Sequence, residues 1–146
     1  DQVSGPSALA LQNWAGQRIP LHATSNGKVL LAYASAAVIT EALRSLRRFT
    51  PRTLVEVPAL QRDLEEVRRR GWALAVDELE EGLTAIAAPI RGADGTVIAS
   101  LSASGPTFRL TAERTPDVAA RVMAAAREIS QRMGWHEVEP TRRVVG

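Results

Sequence analysis

The run Thr84-Ala-Ile-Ala-Ala-Pro-Ile-Arg91, the connector Gly92-Ala93-Asp94-Gly95 and the run Thr96-Val-Ile-Ala-Ser-Leu-Ser-Ala103 decide the fold. Two extended stretches joined by a short Gly/Asp-rich sequence spell a β-hairpin, because these residues tolerate the backbone angles of a tight reversal. Pro89 has no amide hydrogen to give to a ladder. Its strand is therefore expected at an edge, at a bulge or with that amide unbonded, and not as an uninterrupted central strand. Trp72 to Asp77, just upstream, reads as a further strand. Ser102 and Ser104 share one face of the last strand by the period of two, so two hydroxyls point together. Ala85, Ala87, Ala99 and Ala103 either leave space beside them or lie beneath a close-packed helix.

Outward from the hairpin the sequence turns helical. Val29 to Tyr33 continues into Ala36 to Leu46, where Val38, Ile39, Ala42, Leu43 and Leu46 recur at helical spacing. Ser35 serves as an N-cap for the second piece, so two consecutive helices are expected. Pro51 and Pro58 bracket an extended stretch, Thr53 to Val57. A third helix then opens with Pro58 in its first turn, buries Leu60, Leu64 and Val67, and ends at Gly71 as a left-handed cap. After a loop to Arg114, Thr115 caps a fourth helix with Pro116 and Asp117 in its first turn. Its apolar stripe is Val118, Val122, Met123, Ala126, Ile129 and Met133, and Gly134 stops it. Ser7 to Gln12 is read as a strand and Asn13 to Pro20 as a loop. Strands and helices mix without strict βαβ alternation, so the class is α+β, an antiparallel sheet with helices packed on its faces. One domain over residues 1–134 and a non-periodic tail over 135–146 are expected.

Composition narrows the chemistry. The chain of 146 residues has no cysteine, which excludes thiolate nucleophiles, CxxC redox pairs, iron-sulfur clusters and thiolate-bound zinc. A chain of this size buries about 70% of its unfolded surface and needs no disulfide or metal staple. Eighteen basic groups against sixteen acidic ones give a formal charge of +2. The sequence pI of about 9.9 is high because all the basic residues except Lys28 are arginine. Arg68, Arg69 and Arg70 follow Glu65 and Glu66, which reads as a solvated helix face rather than a DNA contact. No stretch of 18 apolar residues and no secretory signal are present, so a cytoplasmic protein without membrane contact is expected. The start at Asp1 suggests a fragment of a longer protein whose N-terminal portion is missing.

Enzyme motifs fail one by one. Gly27-Lys28 has neither the upstream glycine nor the following Ser or Thr of a phosphate-binding loop, and GxGxxG, HExxH and GxSxG are absent. Ser102 or Ser104 with His22 is the one pairing a serine hydrolase could use, without a marked acidic orienter. Asp77, Glu78, Glu80 and Glu81 crowd one loop and read as a solvated tip rather than an acid/base or magnesium site. His22 and His136 do not complete a zinc site, and no cofactor is expected. More informative is Thr24-Ser25-Asn26-Gly27 at a helix start, where free amide hydrogens and the helix dipole attract a carboxylate. Plain N-capping remains the alternative.

Pro20-Leu21-His22-Ala23-Thr24-Ser25-Asn26-Gly27-Lys28, Leu60 to Gly71, Glu78 to Pro89 and Ser102-Ala103-Ser104-Gly105-Pro106, in this order and spacing, resemble the C-terminal effector domain of IclR-type bacterial transcription regulators. The resemblance covers about residues 9 to 134. It implies a GAF-like fold of about six strands with a small-molecule pocket on one side. It also implies a non-catalytic sensor that binds a small organic effector, often an aromatic or carboxylic acid. Such a sensor works as a homodimer or tetramer and reaches DNA only through a winged helix-turn-helix not present here. By the same resemblance Ser25, Asn26 and Gly27 form the ligand-touching helix-start loop, and Ser102 and Ser104 the hydrogen-bonding wall. Ala85 stands where members often place cysteine, and Ala75 where some acid-binding members place aspartate, which points to a larger or more apolar effector. Leu79 replaces a common acidic residue beside Glu78. Leu11, Leu83 and Ala87 complete the expected apolar wall. A small serine-dependent hydrolase and a ligand-free dimerisation module are the alternatives.

Overall fold

The computed structural model describes residues 19–137. The expected strand at Ser7–Gln12, most of the loop after it, Leu11 and the tail beyond residue 137 lie outside the described residues. The elements run α1 (Ser25–Ala32), α2 (Ala36–Leu43), α3 (Val57–Arg70), β1 (Ala73–Val76), β2 (Leu83–Arg91), β3 (Val97–Pro106) and α4 (Thr115–Arg132). The three strands form an antiparallel meander in the order β1-β2-β3. Three of the roughly six expected strands are thus found in the described residues, and the α+β class holds.

The hairpin closes as the sequence requires. Gly92 N donates to Thr96 O, Gly95 N donates to Gly92 O, and Asp94 Oδ1 accepts from Thr96 N, each at 2.9 Å. Gly95 has φ +84°, a backbone angle that L side chains rarely adopt. Pro89 does not place β2 at an edge: β2 is the central strand. The physical reason is that β1 is short and pairs only with Thr84–Ala87, so Pro89 has no β1 residue beside it. A register irregularity follows at Ile90/Arg91, where Arg91 N leaves the ladder and donates to Ser130 Oγ of α4 at 2.9 Å.

Helices cover both faces. On one, Val29, Leu31 and Ala32 of α1 and Leu60, Leu64 and Val67 of α3 pack with Ala73 and Ala87. On the other, Ala119, Val122 and Ala126 of α4 pack against Ile86, Ala88 and Ile90. The alternation of strand side chains feeds both cores from one sheet. The α3 stripe is as expected, and Gly71 caps it at φ +84°. Helix boundaries shift slightly. Helix α1 starts at Ser25, α2 ends at Leu43, α3 opens at Val57, and Arg114 rather than Thr115 occupies the cap of α4. Met133 is exposed, and the buried row of α4 is Thr115, Ala119, Val122, Ala126 and Ser130. Residues 53–56 form no strand; Thr50 and Thr53 instead donate side-chain hydrogen bonds to Asp77 O (2.5 Å) and Glu78 O (2.6 Å). The arginine run is only partly a solvated face. Arg69 pairs with Glu66, but Arg68 donates to Ala32 O (3.0 Å), and Arg70 donates to Trp72 O (2.8 Å) and stacks on its ring.

Candidate functional site

At the start of α1, Thr24 has extended backbone angles and its Oγ1 accepts from Gly27 N at 3.1 Å, which is ordinary N-capping. Gly27 is fixed by crowding. A Cβ there would lie 2.3 Å from Leu21 O, so the chain entering the helix runs directly over it. Ser25 is 2% exposed. Ser25 is therefore packed inward, and so is the side of Gly27 where a Cβ would stand. Asn26 alone of the three reaches the sheet. Its Nδ2 donates to Ser102 Oγ and its Oδ1 accepts from Ser100 Oγ, both at 2.8 Å.

The register aligns the expected wall in rows across the sheet. Ala75, Ala85 and Ser104 form one row, and Ala73, Ala87 and Ser102 the next. All lie on the face covered by α1, and Leu83 begins β2 on the same face opposite Pro106. Ala87 is buried in the cluster that holds Val29 and Leu31, so it supports α1. Ala75 is buried, Ala85 half-buried, and Ser102 and Ser104 are exposed. The structure thus brings Asn26, Ala75, Ala85, Ser102 and Ser104 to one side of the sheet. Ser100 was missed by sequence reasoning, although the period of two that pairs Ser102 with Ser104 includes it.

Behind the helix start lies a charged group that sequence reasoning also missed. Lys28 is 1% exposed, and its Nζ contacts Asp63 Oδ2 at 2.7 Å and both oxygens of Glu78 at 2.8 Å. Asp63 Oδ2 and Glu78 Oε1 are held by charge proximity without a well-directed hydrogen bond. Nζ also donates to Leu74 O (3.0 Å), and Val76 N donates to Glu78 Oε2 (3.3 Å). The register places Ala73 and Ala75 toward β2, so Leu74 O and Val76 N face the outer edge of β1. The ion pair therefore takes two of the backbone groups, Leu74 O and Val76 N, that a neighbouring strand would use. Glu78, 8% exposed, corrects the reading of a solvated acidic tip. Burial pushes its carboxyl above the usual range, outweighing the Lys28 ammonium that pulls it down. A lone lysine in register with buried Leu31 and Ala32 was the signal in the sequence.

The hydrolase geometry is not formed. His22 is buried, its Nε2 bonded to Arg47 O at 2.8 Å and its ring 6.0 Å from that of Phe49, while Asn26 takes the Ser102 hydroxyl. Among the described residues no group of three His, Asp or Glu side chains could hold a metal ion, and no helix is long and apolar enough to cross a membrane.

A three-stranded meander faced by α1 and α4, with a helix tip bonded to strand hydroxyls, has the makings of a small-molecule-binding regulatory domain. The bacterial transcriptional regulator IclR C-terminal family matches residues 1–131, and the chain belongs to that family. It is a family of transcription regulators, not of enzymes. The HTH-type transcriptional regulator KdgR of Escherichia coli is 40% identical over 131 residues, 88% of this chain and 50% of that protein. The chain thus spans about half the length of this relative. The crystal structure of Thermotoga maritima IclR superposes with a TM-score of 0.85 at 30% identity, covering 92% of this chain and 56% of that one. The inducer-binding domain of PobR from Acinetobacter, a double mutant in complex with 3-hydroxybenzoic acid, has a TM-score of 0.73 at 32% identity, covering 89% and 74%.

Proposed function

We propose that residues 1–134 are the effector-sensing and assembly domain of an IclR-type regulator. A small organic acid docks on the side of the sheet that Asn26, Ala75, Ala85, Ser102 and Ser104 share. The observation that carries this reading is the meeting of the α1 tip with the β3 hydroxyls, Asn26 to Ser102 at 2.8 Å. Because Ser102 Oγ accepts from Asn26, its own hydrogen is left to donate, and Ser104 has no partner among the described residues. Two hydroxyl donors on one face suit the oxygens of a carboxylate or carbonyl. Ala75 and Ala85 add neither charge nor bulk, so the remainder of the ligand is an aromatic or otherwise apolar body rather than a second polar group. The hydroxybenzoate complex of the PobR domain supports this ligand class.

The effector acts by differential affinity for two packings of a dimer or tetramer, with a coupling of about 1–3 kcal/mol to operator binding by a winged helix-turn-helix elsewhere in the cytoplasmic regulator. Thermal-shift screening against aromatic acids and short keto and hydroxy acids tests the reading. A true effector at a hundredfold excess over its dissociation constant adds about 2.7 kcal/mol. Loss of that shift in Ser104→Ala and Asn26→Ala is expected. A regulator whose operator binding responds normally in both variants is instead a dimerisation module with an idle pocket.

A further inference from the structure

The end of β1 and the end of β3 flank the start of β2 and stand about 10 Å apart. Asp77, which follows β1, ties three loops together there. Its Oδ1 accepts from Thr107 Oγ1 at 2.7 Å and from Gly82 N at 2.9 Å, and its carbonyl accepts from Thr50 Oγ1. Thr107 N donates to Gly82 O at 2.8 Å, and Thr53 Oγ1 donates to Glu78 O at 2.6 Å. Buried Thr53 also accepts from the amides of Phe49 (3.0 Å) and Thr50 (2.9 Å), and buried His22 is bonded to Arg47 O. Residues 47–53, 77–82 and 107–110 thus form one braced face.

That face carries side chains a core would ordinarily keep. The chain has two phenylalanines and both stand here in solvent, Phe49 at 36% and Phe108 at 70% exposure. Each lies under an arginine: the Arg47 guanidinium is 5.2 Å from the Phe49 ring, and that of Arg109 is 5.9 Å from the Phe108 ring. Arg47, Arg48, Arg52 and Arg109 are exposed, against the exposed carboxylates of Glu80 and Glu81, so the face is net positive. Aromatic rings held in place with arginines beside them are the makeup of interface centres.

We propose that this face docks an acidic protein segment carrying apolar side chains. Its carboxylates pair with the arginines, and its apolar side chains cover Phe49 and Phe108. A duplex DNA backbone would satisfy the arginines but leave both rings bare and bring phosphates against Glu80 and Glu81. The face shares no residue with the proposed effector site, so the inference is independent of the effector reading.

Fluorescence anisotropy of the 146-residue chain with a labelled twelve-residue peptide of glutamate, leucine at every third position, tests it. At low salt the peptide binds at about 100 μM or tighter, and its counterpart with serine for leucine binds about tenfold more weakly or worse. Phe108→Ser and Arg52→Ala, both at exposed positions, each lower affinity by about fivefold or more, whereas Arg121→Ala on α4 leaves it unchanged. Absence of binding overturns the proposal. So does equal binding of the serine peptide, which reduces the face to bare charge, or an equal loss in Arg121→Ala. Tighter binding of a random-sequence DNA duplex makes the face a phosphate contact, and self-association that Phe108→Ser abolishes makes it a site for a second copy; either result overturns the proposal as well.

Discussion

Replacing Lys28 by methionine keeps most of the side-chain volume and removes only the ammonium. The change strands Leu74 O at the outer edge of β1 and leaves Glu78, 8% exposed, without its cation. Asp63, with a side chain 25% exposed, recovers water and adds little. Breaking a buried pair from one side costs about 3–5 kcal/mol. An independent limit comes from protonation, because Glu78 escapes the penalty by taking a proton. From an ordinary value of 4.5, doing so at pH 7 costs two and a half pH units at about 1.36 kcal/mol each, or about 3.4 kcal/mol. The orphaned carbonyl adds about 1 kcal/mol or more. The wild type already bears part of the protonation cost, because its Glu78 carboxyl is raised, so the loss at pH 7 is about 3–4 kcal/mol. For a 146-residue domain each kcal/mol shifts Tm by about 3 °C, so the midpoint falls by about 10 °C. At pH 5 the protonation route costs under about 1 kcal/mol, and most of the loss disappears. Thermal and urea melts at the two pH values measure both figures. A fall of less than about 3 °C at pH 7, or an equal fall at both, refutes the reasoning.

Four further outcomes follow from the same geometry. Gly27→Ala drives a methyl into the backbone of Leu21, costing about 3 kcal/mol or more by urea denaturation, far beyond the loss expected from helix propensity. Because the folded state raises the Glu78 carboxyl, its contribution to stability is fully present below the ordinary value of 4.5 and is lost as pH rises through the folded value. Urea midpoints of the wild type measured against Glu78→Gln should therefore converge or cross as pH rises through that window; a difference that grows in the wild type's favour contradicts the direction. Ser104→Ala, at an exposed hydroxyl without a partner among the described residues, leaves Tm unchanged while abolishing the effector shift. Asn26→Ala costs about 1–2 kcal/mol through its two hydrogen bonds as well as weakening the effector.

Features written in consecutive residues were legible in the sequence. The hairpin connector at Gly92–Gly95, the stripe of Leu60, Leu64 and Val67, and the Gly71 cap each depend on local angles or a fixed period. The common face of Ser102 and Ser104 likewise needs only the strand period. What was not legible depends on partners far along the chain. Lys28 is read correctly only once Asp63 and Glu78, 35 and 50 positions away, are known to surround it. Pro89 is tolerated in the central strand because β1 ends beside Ala87's neighbours, a fact about another strand's length. Ala85 and Ala87 have the same parity and differ only in what covers them: α1 closes over the second. How closely Leu21 crosses Gly27 is likewise set by the path of the chain into the helix and not by the motif itself.

The way β1 is finished also limits how copies of this domain can join. Its outer border is occupied by a lysine and a glutamate of the same molecule, so a foreign strand finds no free carbonyl at Leu74 and no free amide at Val76. A strand adding at that border must first displace both bonds, a deterrent that needs no bulky guard or proline. The dimer or tetramer proposed above is then better served by helical surfaces or by the opposite flank of the meander.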